Sequence, residues 1–182
     1  MKLQFKKGTV FCALLLFHSQ LFAQQTTNHQ FTNQKKGAQM EIVSIEIEHK
    51  AAIRNLYENI MNNRKFELLK GLISEEYTGI SGRKGPAGFQ EQIEALVKAF
   101  PDAKWYADDI ICEGNKVIIR QKFQGTHLGE FQHISATGKR VSNTGTGFYT
   151  FKDGKIISTE IQTDRLSFLQ QLGVIPTDLK SL

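Results

Sequence analysis

The hydrophobic period of this 182-residue chain changes once, at Pro101. Upstream, apolar residues recur at helical spacing; downstream they alternate with a period of two. Ile53, Leu56, Tyr57, Ile60 and Met61 predict one helix, with Ser44 placed to cap it and Glu46 and Glu48 near its positive end. Phe66, Leu68, Leu69, Leu72 and Ile73 predict a shorter second helix. Phe89, Ile93, Leu96, Val97 and Phe100 predict a third, opened by Gly85-Pro86 and stopped by Pro101. Strands follow over 105–112, 117–127, 140–151 and 156–164. Glu113-Gly114-Asn115-Lys116 and Lys152-Asp153-Gly154-Lys155 read as turns between them. Leu166, Phe168, Leu169 and Leu172 then predict a short closing helix.

Helices first and an antiparallel meander second define an α+β chain with its helices on one face of the sheet. Gly145 and Gly147 fall inside a strand, where a bulge or sharp bend is expected. The expected architecture is therefore a strongly curved antiparallel sheet packed against N-terminal helices, forming a cone with an internal pocket.

The N-terminus has the marks of a secretory leader over 1–23. Lys2, Lys6 and Lys7 give a basic start, the run from Val10 to Phe17 is apolar but too short to span a bilayer, and Leu21-Phe22-Ala23 suits cleavage. Secretion or periplasmic location is expected, with no stable membrane anchor after cleavage. Loss of the leader's three lysines takes the net charge from +5 to +2, so the basic character belongs largely to the leader. No basic stripe remains, and nucleic acid is not an expected partner. Cys112 is then the sole cysteine and reads as a small buried hydrophobe. Residues 24–43 are rich in Gln, Thr, Asn and Lys and read as a disordered linker. The folded domain is expected over 44–176, with 177–182 as a tail.

The last third adds Gly125-Thr126-His127-Leu128-Gly129-Glu130-Phe131, Thr137-Gly138-Lys139-Arg140 and Asp164-Arg165-Leu166-Ser167-Phe168-Leu169-Gln170-Gln171-Leu172-Gly173. Together with Gly85-Pro86-Ala87-Gly88-Phe89 and Phe100-Pro101-Asp102, this order resembles the SnoaL-like polyketide cyclase (ester cyclase) family. The resemblance runs from about residue 45 to 176. It implies a nuclear-transport-factor-type cone, often a dimer through the sheets, and no metal or organic cofactor. It also implies a carboxylate acid/base at the end of the last long strand, which is Asp164 here, and a hydrogen-bond donor at His127. The chemistry suits the residue types. A carbon flanked by two carbonyls is already acidic, so one carboxylate can remove and return its proton while a few donors hold the enolate. The family's Glu-x-Trp in the last strand is Ser158-Thr159-Glu160 in this chain, and its Gly-x-Pro-Pro is His133-Ile134-Ser135-Ala136.

Alternation leaves two readings of the last strand. Ser158, Glu160, Gln162 and Asp164 share one face. That face is either solvated, with Asp164 capping the closing helix, or the polar wall of a pocket. Tyr57, Trp105, Phe148, Glu160 and Gln162 are the candidate ligand contacts. His127, Glu130 and His133 do not fall on one side of a regular element, so no metal site is expected. Three functions remain: a cyclase or isomerase acting on a small apolar carbonyl compound, a non-catalytic binder of such a compound, or an association module that dimerises through its sheet. A cavity-facing Asp164 favours the first and a solvent-facing one the second.

Overall fold

The structure is a computed structural model that describes residues 34–178. The expected leader, residues 24–33 of the expected linker and the last four residues of the tail lie outside the described residues. The chain divides into two units, Met1–Ser44 and Ile45–Leu182. In the first, residues 34–44 are helical and exposed. The linker expectation therefore does not hold over 34–43. Gln34, Lys35, Lys36, Ala38, Gln39, Met40 and Glu41 are all good helix formers, and composition alone had hidden that propensity. Ser44 sits within helical backbone and is not a cap.

The second unit opens with helix α1 (residues 45–55), which runs into a π-helical turn, Leu56–Met61. The Asn62 N–H reaches back to the Tyr57 carbonyl and the Lys65 N–H to that of Ile60, so the turn is wider than an α-helix. Leu56, Tyr57, Ile60 and Met61 are all buried there. A short 3-10 turn (Phe66–Leu68) and α2 (Leu69–Leu72) follow, then α3 (Gly85–Ala99) with proline in its first turn. Strands β1 (Lys104–Glu113), β2 (Lys116–Thr126), β3 (Arg140–Lys152) and β4 (Lys155–Thr163) make a four-stranded antiparallel sheet in sequence order. The α4 helix (Arg165–Leu172) closes the unit and ends at Gly173 in the left-handed conformation. The β3–β4 connection is a two-residue turn with positive φ at both Asp153 and Gly154, the geometry that matches the twist of a hairpin.

The inner face of the sheet carries Trp105, Val117, Ile119, Tyr149, Phe151 and Ile156, all at most 4 % exposed. Ile53, Leu56, Ile60, Leu69 and Phe89 cover it from the helical side. Each such side chain contributes about 1.5–3 kcal/mol of transfer free energy. Polar contacts fix the layers. His49 stacks on Phe151 with ring centres 4.1 Å apart and contacts the Gly114 carbonyl through Nδ1 at 3.1 Å, while Glu46 accepts from the Gly114 N–H. Ser74 donates to the Ile156 carbonyl, joining the segment after α2 to the edge strand.

Register shifts fall between Ala107 and Asp109 and between Thr150 and Phe151. Bulges at these places bend the sheet. They are not at the strand glycines, as the sequence had suggested. A Cβ on Gly145 would lie 2.2 Å from the Gln162 carbonyl oxygen of β4, so this glycine permits close approach of the neighbouring backbone.

Candidate functional site

A cavity of about 620 Å³ lies within the second unit, between the inner sheet face and the helices. The alternation of each strand decides what enters it. Gln121 and Phe123 come from β2, Asn143 and Tyr149 from β3, and Thr159, Ile161 and Thr163 from β4. Cross-strand pairs share a face, and Tyr149 pairs with Thr159, Gly147 with Ile161 and Gly145 with Thr163. The π-helical turn presents Tyr57 and Met61, and α3 presents Phe89, Gln92, Ile93 and Leu96. Phe131 arrives from the β2–β3 loop and packs edge-on against Phe100 and Phe168. Most of this wall is apolar.

The buried polar groups are neutral. Tyr57 donates its hydroxyl to Gln121 Oε1 at 2.6 Å, and its oxygen lies 2.7 Å from the Tyr149 hydroxyl. A second cluster joins Gln92 Nε2 to the Tyr77 hydroxyl at 3.0 Å and that hydroxyl to Thr159 Oγ1 at 2.9 Å. Burial holds the Tyr57 phenol well above its ordinary pKa, with the neighbouring Tyr149 adding to the effect. Burial likewise raises Tyr149. Both phenols stay protonated in neutral water and act as hydrogen-bonding groups, not as bases. Carboxylates reach the cavity only at its rim, through the exposed Glu91 and Glu130, where Arg165 is also exposed. Among the described residues no three His, Cys, Asp or Glu side chains gather as metal ligands.

The expected site residues divide. Tyr57 and Trp105 line the cavity. Phe148, Glu160 and Gln162 do not. They lie on the outer face of the sheet, where Phe148 is 38 % exposed and Gln162 donates to Glu160 at 3.0 Å. The polar face of β4 is thus the solvated one, and Thr159, Ile161 and Thr163 turn inward. Asp164 follows that outcome. It is exposed and absent from the cavity lining, and its Oδ1 accepts from the Ser167 N–H at 2.9 Å as the N-cap of α4. Its chain neighbours Thr163 and Arg165 do line the cavity, while Asp164 itself does not.

His127 is fully buried and is not part of the lining. Its ring stacks on Phe100, centres 5.0 Å apart, and Nδ1 accepts from the Thr137 N–H at 3.3 Å with Thr137 Oγ1 at 3.2 Å. Nδ1 therefore lacks a proton in the neutral ring, and Nε2 is buried without a partner. Desolvation lowers the imidazole pKa. His127 ties down the β2–β3 loop that supplies Phe131, and the donor role toward ligand does not fit a side chain outside the lining. Glu130 and His133 lie 3.9 Å apart and are exposed, whereas the His127 ring is buried.

Gln121, Asn143 and Tyr149 are cavity residues the sequence reading passed over. The signal was available. Gln121 sits in the same alternating row as Val117, Ile119 and Phe123, a polar residue on an apolar face. Asn143 holds the equivalent place beside Val141 on β3.

A family model described as SnoaL-like polyketide cyclase matches residues 51–172, more than half of the chain. Among solved structures, TsrD from Streptomyces laurentii is similar, with 24 % identity and a TM-score of 0.63 over 69 % of this chain and 98 % of that one. IdmH from Streptomyces antibioticus, provisionally named a polyketide cyclase, is 27 % identical with a TM-score of 0.58, over 68 % of this chain and 96 % of that one. A SnoaL-like polyketide cyclase from Agrobacterium tumefaciens is 21 % identical with a TM-score of 0.59, over 66 % and 95 %. No curated protein matches the chain.

Proposed function

Because the chain belongs to the SnoaL-like polyketide cyclase family, we propose that its cavity takes a small apolar carbonyl compound and promotes cyclase- or isomerase-type proton transfer on it. The observation that carries this reading is an apolar cavity of about 620 Å³ whose buried polar groups are all neutral hydrogen-bonding side chains. Such a site accepts a neutral carbonyl compound and can hold the enolate formed from it. Asp164 is the proposed base, acting from the mouth on an acidic carbon that the ligand leaves between Thr163 and Arg165.

The alternative is a non-catalytic binder of the same class of compound, and one observation favours it. The Asp164 carboxylate is exposed and engaged in capping α4. Deuterium exchange at the acidic carbon of β-keto esters separates the two. Wild-type protein should speed exchange, and Asp164→Asn should lower the rate by on the order of a hundredfold with ligand affinity little changed. Exchange undiminished in the variant removes Asp164 from the mechanism. A ligand seen in the purified protein by native mass spectrometry, with no exchange on any such ester, makes the binder the better reading.

The leader supports export, so N-terminal sequencing of secreted protein should begin at or near Gln24, and full-length cytosolic protein would contradict it. The outer sheet face supports a homodimer through Ile111, Ile118 and Phe148, which stand in one cross-strand row and are all exposed. Among the described residues no helix is long and apolar enough to cross a membrane.

A further inference from the structure

We infer that Gln121 and Asn143 are the ligand-recognising pair of this cavity, two carboxamides whose free N–H groups hold the carbonyl oxygen of a neutral ligand. The inference rests on the reading of the cavity as a small-molecule site and goes beyond it in naming the contacts and the charge of the ligand.

Each phenol has one proton. Tyr57 gives its own to Gln121 Oε1, so the proton between the two phenols comes from Tyr149. Both hydroxyl protons are then spent inside the protein. The same bond places the oxygen of the Gln121 amide toward Tyr57. Its nitrogen is left over, with no partner among the described residues. Gln121 is only 7 % exposed and lines the cavity, and its nitrogen is not among the wholly covered unpartnered atoms, so it opens onto the cavity.

Asn143 repeats the pattern. It is 8 % exposed and lines the cavity, its side chain makes no hydrogen bond, and its Oδ1 is covered by protein with no donor. The amide nitrogen is the end a ligand can reach. The two residues are diagonal neighbours on adjacent strands, since Gln121 pairs with Gly145 and Phe123 with Asn143. Such neighbours stand roughly 7–8 Å apart, a span that one acceptor oxygen between two long amide arms can bridge.

An amide N–H that faces the cavity with no protein partner gains a hydrogen bond from a ligand acceptor, whereas the covered Asn143 Oδ1 gains nothing from it. A carbonyl oxygen has two lone pairs and can accept from both amides. A carboxylate fits poorly, because no cation is buried in the wall and Arg165 is exposed at the mouth. The ligand is therefore a neutral ketone or ester. The same two donors would hold the oxygen as it gains charge in an enolate.

Calorimetric titration of the intact protein with 2-acetylnaphthalene and the isosteric hydrocarbon 2-isopropenylnaphthalene tests this. Wild type should bind the ketone about tenfold more tightly than the hydrocarbon. Gln121→Leu and Asn143→Leu should each erode that preference and the double variant abolish it, with hydrocarbon affinity unchanged. 2-Naphthoate should bind more weakly than the ketone. Equal affinity of wild type for ketone and hydrocarbon overturns the inference while leaving the cavity a binding site. Tightest binding of the naphthoate overturns it in favour of an anion site. Binding of none of the three overturns the reading of the cavity and the inference with it. The wild-type comparison decides even where a Leu variant does not fold, and Gln121→Met then repeats the test with a side chain of similar length.

Discussion

Asp164 and His127 show how one residue can hold a structural post at a place where chemistry was expected. Asp164 is both the N-cap of α4 and the proposed base at the mouth, and two substitutions separate these roles. Asparagine can still accept from the Ser167 N–H, whereas alanine cannot, so Asp164→Ala should cost about 1 kcal/mol of stability that Asp164→Asn does not. Urea unfolding of the two variants checks the cap without reference to any substrate. Equal stability of the two would mean that the cap contributes nothing. His127 makes a pH prediction. Its folded pKa is lowered by burial, so between that value and the ordinary value near 6.5 the unfolded chain binds the proton more readily. Stability should thus be complete above about pH 6.5 and fall as pH drops through that window. Protonation at Nδ1 would also abolish the bond from the Thr137 N–H. Melting curves from pH 7.5 to 5 should show the loss in wild type and a flatter profile in His127→Leu at lower overall stability. A profile unchanged by the substitution would show that another group governs the acid limb.

The elements themselves were legible because each carries its own punctuation. Pro86 opens α3, Pro101 follows its end, and Asp153-Gly154 closes the β3–β4 hairpin. What alternation could not say is which face of a strand looks inward. On β2 the apolar row decided it. On β4, Ser158, Glu160 and Gln162 face out and Thr159, Ile161 and Thr163 face in, and both rows are polar enough to suit water. The choice is made by register with β3, through pairs such as Tyr149 and Thr159, which a single strand does not encode. That is why Phe148, Glu160 and Gln162 looked like ligand contacts. The strand glycines were open to misreading for a related reason, since glycine permits a bulge and a close approach equally well. Gly145→Ala now has a definite expectation. Its Cβ would meet the Gln162 carbonyl oxygen at 2.2 Å and Thr163 Cγ2 at 3.0 Å, and a backbone atom cannot swing aside as a side-chain tip can. The variant should lose about 1–3 kcal/mol in chemical unfolding. Wild-type stability in Gly145→Ala would mean that β4 moves freely at this point.

At the scale of the folded unit, the sheet has two faces with different fates. Helices and cavity occupy the inner one. The outer one keeps a row in which Ile111 pairs with Ile118 and Ile118 with Phe148, bordered by the Asp109–Arg120 ion pair at 2.9 Å. Their exposures of 65, 40 and 38 % leave a contiguous apolar strip on an otherwise polar face. Scattered apolar residues on a surface need no explanation, but a strip across three paired strands does. A two-fold pairing of sheets would cover the row with itself, since a self-complementary patch needs only its own copy. Ile118 is the middle of the row, so Ile118→Glu should disrupt the pairing most: a glutamate there meets apolar atoms and its own copy's charge. Sedimentation equilibrium should give a dimer for wild type and a monomer for Ile118→Glu. Circular dichroism should be unchanged, because the residue is not part of the monomer core. Cavity titrations with the naphthyl ketone should also be unaffected, since the cavity lies on the opposite face of the sheet. A wild-type protein that stays monomeric at tens of micromolar would end the dimer proposal and leave the strip to another partner.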